Sequence, residues 1–272
     1  MVRWAWLAAA VALVTLTACG TSGDGASGGG VTDATTASDA PVGEELVGRW
    51  AHYDVVAYEE PLMRTLIVSF GFNDFSIEDG QLVDAASFCF AEQVTDQPID
   101  ISLSDVATRA IRPPPTPVSV SEVDGVLRVQ RPSTPTPVGI RLDDPATESL
   151  PTDPADPRIV DDDGDGNPGI TVVVRFGGTD EAQLFIARRE IFEYDVTLTG
   201  PDELTGVVID SSEQLVVGAT SDLLLTTDAQ WTQYPDLSRS PIILRRVSDD
   251  WDCDRLRAER DRLFPPTPAI DW

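Results

Sequence analysis

From about residue 46 onward, hydrophobic residues occur in short runs in which apolar and polar positions partly alternate. Such runs, rich in β-branched and aromatic residues and bounded by turn residues, predict β-strands. The predicted strands are residues 46–58, 63–72, 81–94, 118–123, 126–130, 170–176, 182–188, 191–198, 204–209, 214–217 and 241–247. Short antiparallel strands at a spacing of roughly ten residues predict a mainly β fold, either a barrel or a sandwich.

Four stretches around these strands have other patterns. Residues 101–111 alternate at first and then fit a helical turn, so their assignment stays open. Asp124 and Gly125 separate two apolar runs and predict a type I′ hairpin. The proline-rich segments 112–118 and 131–138 resemble each other. They are either polyproline segments recognised by a partner or stiff connectors that protect edge strands, and we favour the connectors.

The C-terminal pattern changes from strand to helix. Residues 248–250 (Ser-Asp-Asp) offer an N-cap for a helix from about Trp251 to Leu263. Two prolines then end the helix and leave residues 265–272 as an extended tail. At helical spacing, one stripe that faces the sheet contains Cys253, Leu256, Arg260 and Leu263. The predicted fold is therefore an antiparallel barrel or sandwich with one C-terminal helix.

Composition narrows the class of partner. The chain has 272 residues, of which 42% are hydrophobic, enough for a sizeable core. Its 46 acidic residues outnumber 19 basic residues, all arginine, and the net charge is −27. Such a surface repels nucleic acids and anionic lipid headgroups, which excludes both as expected partners, and it attracts divalent cations.

The N-terminus has the pattern of an export signal. Arg3 precedes the apolar stretch Trp4–Thr15, which is too short to span a bilayer. Leu16-Thr17-Ala18-Cys19 then resembles the bacterial lipobox. The resemblance implies that residues 1–18 are a signal peptide and that Cys19 becomes the lipidated first residue.

The residues after Cys19 support a lipid-anchored domain. Residues 19–45 are rich in Gly, Ser and Thr and predict a flexible tether, followed by a single β-rich domain over 46–264. We therefore expect the protein in the bacterial cell envelope, with the membrane as its partner through the lipid. Gly20 after the cysteine favours the outer membrane over the inner membrane.

Two cysteines remain once Cys19 is assigned to lipid. An exported chain with two cysteines usually pairs them, so we expect a disulfide between Cys89 and Cys253. This bond would tie the C-terminal helix to the first sheet.

An acidic loop at residues 160–169 predicts a metal site. Asp161, Asp163 and Asp165 occupy alternate positions, Gly166 allows a sharp turn, and Asn167 offers a backbone carbonyl. The loop resembles the calcium loops of thrombospondin-type and dockerin-type repeats. This resemblance implies one structural Ca²⁺.

The predicted calcium site lacks a full ligand set. The twelfth position, a glutamate in EF-hands, is Val172. Another ligand would come from Asp153, Asp156 or Asp180, and the sequence leaves all three open. We expect an affinity of only about 10⁻⁴ to 10⁻³ M. An acidic turn that holds no ion is the alternative.

The first predicted strand begins with Gly48-Arg49-Trp50, which resembles the G-x-W motif of lipocalins. Lipocalins are β-barrels with a C-terminal helix that carry small apolar ligands. The resemblance implies that Arg245 or Arg246, on the last strand, packs over Trp50.

Residues for common enzyme chemistry are scarce. His52 is the single histidine, and we expect it to be a partly exposed strand residue. One histidine excludes multi-histidine metal sites, and no nearby serine supports a catalytic triad. We expect a non-enzymatic, calcium-stabilised envelope lipoprotein that serves as a binding or structural module, with an envelope protein as a possible partner. The alternative is a lipocalin-like carrier of a small apolar ligand, which requires an unfilled cavity of at least ~300 Å³.

Overall fold

The computed structural model describes residues 43–61, 63–177, 180–225 and 231–272. The predicted signal peptide, Cys19 and most of the predicted tether lie outside the described residues. The fold is mostly β, with 53% of residues in strands and 12% in helices. Across the described ranges, no helix is long and apolar enough to cross a membrane.

Fifteen strands and three α-helices follow one another within the described residues. The strands are β1 (Gly48–Glu59), β2 (Arg64–Glu78), β3 (Gln81–Thr95), β4 (Ile99–Leu103), β5 (Thr116–Pro117), β6 (Ser119–Val123), β7 (Val126–Arg131), β8 (Thr136–Val138), β9 (Ile170–Phe176), β10 (Asp180–Glu190), β11 (Phe192–Gly200), β12 (Glu203–Asp210), β13 (Glu213–Ala219), β14 (Thr232–Gln233) and β15 (Pro241–Arg246). The helices are α1 (Asp105–Ala110), α2 (Asp222–Leu225) and α3 (Cys253–Leu263).

The larger sheet forms a nearly closed antiparallel barrel, which we call the barrel sheet. Its strand order is β5-β3-β2-β1-β15-β12-β11-β7-β6, with β14 paired to β1. Only Val118 separates β5 from β6, yet β5 pairs with β3 and β6 pairs with β7. This one extended segment therefore brings the two ends of the sheet together. The predicted mainly β fold with a C-terminal helix is confirmed.

A second antiparallel sheet has the order β13-β10-β9-β4, with β8 paired to β10. The chain passes from the barrel sheet to the second sheet through residues 96–98, between β3 and β4. Ile191 alone joins β10 of the second sheet to β11 of the barrel sheet, and residues 211–212 join β12 to β13. The chain also crosses between the sheets at residues 104–115 and 132–135, so several connections, some of them very short, join the two sheets.

Alternation along β1 separates two cores. Successive side chains of a strand point to opposite faces. Trp50 and Tyr58 point into the barrel, where they pack with inward residues of the opposite strands such as Leu204. Ala51 and Tyr53 point outward into a second buried cluster. Both faces of β1 are buried from Trp50 to Tyr58, and in this stretch all residues except His52 and Asp54 are apolar.

Helix α3 covers the outer face of the barrel sheet. Asp252 caps it by accepting a hydrogen bond from the Arg255 amide at 2.8 Å, so the helix begins two residues after the predicted start. Leu256 is fully buried and Leu263 is nearly so, as the predicted stripe requires. Cys253 at its first turn forms a disulfide with Cys89 of β3, as predicted, with 5.3 Å between the Cα atoms.

The second sheet is also covered on both faces. One face carries apolar side chains that are directed toward the barrel mouth, among them Ile101, Val174 and Ile186. The opposite face carries Phe185, which packs against residues of the long segment between β8 and β9. The residues that this segment contributes are Ile140, Leu142, Leu150 and Ile159.

The structure settles several local predictions. Residues 101–111 contain the end of β4 and then α1, which Ser104 caps by accepting from the Ala107 amide. Asp124 and Gly125 have φ angles of 53° and 80°, as a type I′ hairpin requires. The proline-rich segments are more than connectors, because each supplies a short strand, β5 or β8, that pairs within the molecule. The expectation for His52 was wrong: its side chain points into the barrel and is 3% exposed.

Candidate functional site

The predicted metal ligands Asp161, Asp163 and Asp165 lie together. One carboxylate oxygen from each falls within 4.8 Å of the others. Burial raises the pKa of Asp163, and the charges of Asp165 and Asp161 raise it further, against a lowering effect of the Thr171 amide. The Oδ1 atom of Asp163 is buried and accepts no hydrogen bond within the described residues. This arrangement concentrates negative charge at one point of the loop.

Backbone amides hold the acidic loop in shape. Asp161 accepts hydrogen bonds from the amides of Gly164 and Gly166 at 2.7 and 2.9 Å. Asp163 accepts from the Thr171 amide at 2.9 Å, which fixes the loop to the start of β9. Asp162 turns to the other side, where its carboxylate accepts from the Gly139 amide at 2.6 Å. The alternation in the sequence thus places three carboxylates on one side of the loop.

The additional ligand that the loop needs is not identified among the three candidates. In the described residues, the cluster contains neither Asp153, Asp156 nor Asp180. Asp156 pairs with Arg158 at 2.9 Å, and this pairing lowers its pKa to about 2. The fourth predicted ligand, Asn167, lies beside the cluster, where its backbone amide donates to the Asp165 carboxylate at 2.8 Å.

A cavity of about 240 Å³ lies between the barrel mouth and the second sheet. Strands β1, β2 and β3 line it from the barrel side, while β4, β9 and β10 line it from the second sheet. Most of the lining is apolar, including Val56, Met63, Ile67, Phe88, Ile99, Ile101, Leu103, Ile170, Val172, Val174, Leu184, Ile186, Phe192, Leu224 and Trp231. Trp231 packs beside Tyr58, with 5.4 Å between the ring centroids.

Polar side chains also line the cavity, and they come from strands of both sheets. Asp54 extends from β1, Arg188 and Glu190 from β10, and Asp210 from β12. The Arg188 guanidinium donates to Glu190, and to Gln214 at 3.0 Å. This arginine is therefore already neutralised by a carboxylate of its own strand.

Asp210 has neutral donors as well as nearby charges. The Tyr58 hydroxyl donates to its carboxylate at 2.9 Å, and the Ser212 hydroxyl donates to the other oxygen. Burial raises the pKa of Asp210, Arg188 opposes that change, and Glu190 adds to it. The carboxyl groups of Asp210 and Glu190 thus share one arginine.

Asp54 is the most perturbed carboxyl group of the cavity. Burial raises its pKa to about 8, with further contributions from the charges of Glu190 and Asp210 and an opposing hydrogen bond from Ser69. Its Oδ1 atom lies 3.7 Å from Nε2 of His52. That distance would allow an ion pair, but burial also lowers the pKa of His52 to about 4. Both groups are therefore neutral at pH 7.

Deeper in the barrel, a separate polar network fixes His52. The Asn73 amide nitrogen donates to both oxygens of Asp84 at 2.9 and 2.8 Å, so its own oxygen faces Nδ1 of His52 at 2.8 Å. The histidine therefore carries its proton on Nδ1. Arg131 and Tyr194 donate to the same Asp84 oxygen at 2.7 and 2.8 Å. These shared hydrogen bonds link the side chains of the barrel interior, although Nε of Arg131 and Nε2 of His52 have no hydrogen-bond partner among the described residues.

The sequence reading missed this cavity, although one signal was present. His52 and Asp54 share the inward face of β1 with Trp50, and both are polar residues within an apolar strand. Strict alternation would have placed them inside the barrel. The contributions of β10 and β12 carried no such signal. The arrangement of strands in the barrel sheet brings Asp210 near Asp54, and the packing of the second sheet against the barrel adds Glu190.

One feature implied by the lipocalin resemblance is present. The Arg246 guanidinium lies 4.3 Å from the centre of the Trp50 ring, across the pairing of β1 with β15. It also donates to the backbone oxygens of Val47, at 2.7 Å, and of Glu45. The start of the barrel is thus closed by a cation–π contact and two hydrogen bonds.

Comparisons with protein-family models, with curated proteins and with solved structures found no match to this chain. The described fold itself defines the class, a barrel-like β protein with an apolar cavity at the mouth of its barrel.

Proposed function

We propose that this protein is a non-enzymatic binding protein of the bacterial envelope that holds a small apolar ligand in the cavity between its two sheets. The cavity itself carries this proposal: about 240 Å³ of space enclosed largely by apolar side chains. A purely structural barrel would fill that space with side chains. The geometry therefore favours the carrier alternative over a structural module.

The size of the cavity limits the ligand. An engineered apolar cavity of roughly 150 Å³ holds benzene, so a cavity of about 240 Å³ suits a ligand of about ten non-hydrogen atoms. This volume is smaller than the ~300 Å³ that we expected of a lipocalin-like carrier, so the cavity is too small for a drug-sized ligand. A single aromatic or short aliphatic molecule fits this limit, whereas a long-chain lipid or a sterol exceeds it.

Filling the cavity tests the proposal. Val172 of β9 lines the cavity, while the next residue, Val173, points to the opposite face of the same strand. We expect the wild-type protein to bind ethylbenzene with a change in the fluorescence of Trp231, and Val172→Phe to weaken binding by at least about tenfold. Val173→Phe is the matched control and should bind as the wild type does. Absence of ethylbenzene binding to a folded wild-type protein would contradict the proposed function.

The envelope location rests on the N-terminal sequence. The lipobox-like residues 16–19 support export and attachment through a lipid on Cys19. At least two acyl chains are needed for stable anchoring, and the lipid of a bacterial lipoprotein would supply them. Because the tether and the domain are acidic, an anionic membrane surface would repel them.

A structural calcium ion in the acidic loop is part of the same proposal. Its support is the grouping of Asp161, Asp163 and Asp165 within 4.8 Å. Burial raises the pKa of Asp163, and the charges of Asp165 and Asp161 raise it further. Carboxylate oxygens are the ligands that Ca²⁺ prefers, and a bound cation would relieve the repulsion among these three groups. Because the Thr171 amide ties the loop to β9, the ion would stabilise one wall of the cavity.

A further inference from the structure

We infer that the ligand of this cavity is an apolar amine whose ammonium group is held by Asp54. The inference rests on the proposed function, since it names the chemical class of the ligand for the same cavity. Its basis is the imbalance between acidic and basic side chains among the polar groups of the lining.

The cavity presents more carboxyl groups than cations. The lining contains Asp54, Glu60, Glu92, Glu190 and Asp210 but a single arginine, Arg188. That arginine donates to Glu190 and lies close enough to Asp210 to lower its pKa. Within the described residues, no arginine forms an ion pair with Asp54. A cationic group that enters the cavity would supply the missing partner.

Asp54 is also suited to this role by its position. It is 9% exposed and lies on β1 opposite Ser69 of β2. Its hydrogen-bonding partner is the neutral Ser69, and the neutral His52 lies 3.7 Å away, beyond hydrogen-bond distance. A charge-assisted hydrogen bond between an ammonium and a carboxylate is roughly twice as strong as a neutral one. The apolar wall formed by the second sheet would then hold the hydrocarbon part.

Other ligand classes fit less well. A carboxylate ligand would meet five acidic side chains and only one arginine, which already pairs with Glu190. A neutral alcohol would satisfy the hydrogen-bonding capacity of Asp54 but leave the excess of carboxyl groups unbalanced. An ammonium group meets both requirements.

Binding of an amine also has a definite pH dependence. An ammonium pairs with the ionised form of Asp54, so that its binding at pH 7 releases a proton from a carboxyl group whose pKa is about 8. The titratable or charged groups of the surrounding strands are His52, Tyr58, Glu60, Glu92, Arg188, Glu190 and Asp210. His52 has a pKa of about 4 and that of Tyr58 lies well above its usual value, so neither changes charge between pH 6 and pH 8.

Four probes with the same aromatic part test the inference by calorimetry on the folded protein at pH 8. They are phenethylamine, phenethyl alcohol, 3-phenylpropionate and ethylbenzene. We expect phenethylamine to bind at least about tenfold more tightly than the alcohol, and 3-phenylpropionate to bind most weakly. The affinity for phenethylamine should fall by roughly tenfold for each pH unit below about 8.

Two variants separate a specific role of Asp54 from a general effect of the acidic protein. Asp54→Asn keeps the shape of the cavity and should bring the amine and the alcohol to within about threefold, with a flat pH profile. Asp100→Asn is the matched control, because Asp100 is an exposed carboxyl of β4 between the cavity-lining Ile99 and Ile101. It should retain the preference for the amine.

The outcomes distinguish the two proposals. If ethylbenzene and the alcohol bind but the amine shows no advantage, the amine inference is wrong and the proposed function stands. An amine preference that persists in Asp54→Asn also overturns the inference, since the charge is then recognised elsewhere. If none of the four probes binds, both proposals fail.

Discussion

Burial controls the charge state of the polar side chains inside this barrel. His52 and Asp54 are two residues apart on β1 and both face inward. Removal from water disfavours the charged form of each group, so the pKa of the histidine falls to about 4 and that of the aspartate rises to about 8. These opposite pKa shifts leave His52 and Asp54 as a neutral pair.

The shift of Asp54 predicts a stability cost that grows with pH. The unfolded chain ionises this carboxyl near pH 3.8 and the folded protein only near pH 8, so the free energy of unfolding decreases as pH rises between these values. The upper bound on this loss is about 6 kcal/mol. We expect Asp54→Asn to be more stable than the wild type at pH 8 and to lose this advantage toward pH 4.

Urea unfolding of both proteins at several pH values measures this difference. His52 has the opposite effect, because its lowered pKa removes stability as pH falls from 6.5 to about 4. That contribution is common to both proteins and cancels in the comparison. A constant difference between wild type and variant from pH 4 to pH 8 would argue against a neutral Asp54.

The acidic loop leads to a prediction about calcium. Since Asp161, Asp163 and Asp165 lie within 4.8 Å, binding of Ca²⁺ to the folded loop should raise the melting temperature. Asp163→Ala should abolish this increase. Calorimetry in millimolar calcium and in chelator measures the effect, and Asp180→Ala, outside the cluster, is the control. Equal melting temperatures of the wild type in both conditions would exclude the ion.

At the scale of elements, α3 is held by a covalent bond as well as by packing. The Cys89–Cys253 bond joins positions 164 residues apart, and Leu256 and Leu263 bury the inner side of the helix. Arg260 lies over the ring of Phe70, 5.7 Å from its centre. The helix therefore shields the outer face of β2 and β3 from water.

Replacing both cysteines should lower stability without removing the helix. In the chain-entropy model, a bond that closes a loop of this length stabilises by up to about 5 kcal/mol. We expect Cys89→Ser/Cys253→Ser to lose up to that amount in the free energy of unfolding and to keep its far-ultraviolet circular dichroism. Reduced wild-type protein should match the variant. If reduction leaves the unfolding curve unchanged, the bond contributes nothing to stability.

At the scale of the whole molecule, the cavity is a product of two sheets. The barrel sheet provides the acidic Asp54 and Asp210, and the second sheet provides the apolar wall with Val172 and Val174. Short connections at residues 96–98 and at Ile191 hold the sheets against each other. Neither sheet encloses this space alone, so ligand binding depends on the complete domain.

The location of the molecule leads to a further prediction. If Cys19 carries the lipid, the intact mass of the mature protein should exceed that of residues 19–272 by the mass of its acyl groups, and the protein should sediment with membranes. Cys19→Ala should be recovered in the soluble fraction or with its signal peptide uncleaved. An unmodified residue 19 in the mature wild-type protein would contradict the anchor.

Local pattern was enough to predict most elements of this fold. The Asp124-Gly125 hairpin, the inner stripe of α3 and the strand positions follow from turn chemistry and periodicity, which act between near neighbours. The pairing of Cys89 with Cys253 followed from export and cysteine count. Alternation also placed Asp161, Asp163 and Asp165 on one side of their loop. These features need no knowledge of distant contacts.

The cavity and its charges were decided only by the tertiary structure. Hydrophobic patterning gives the same alternating signal for a barrel and a sandwich, and closure of this barrel depends on a segment, β5 and β6, that pairs on both sides. Asp54, Glu190 and Asp210 come from strands far apart in sequence, and burial among them sets their pKa values. Burial and charge interactions depend on distances in the folded molecule, which a linear pattern does not contain.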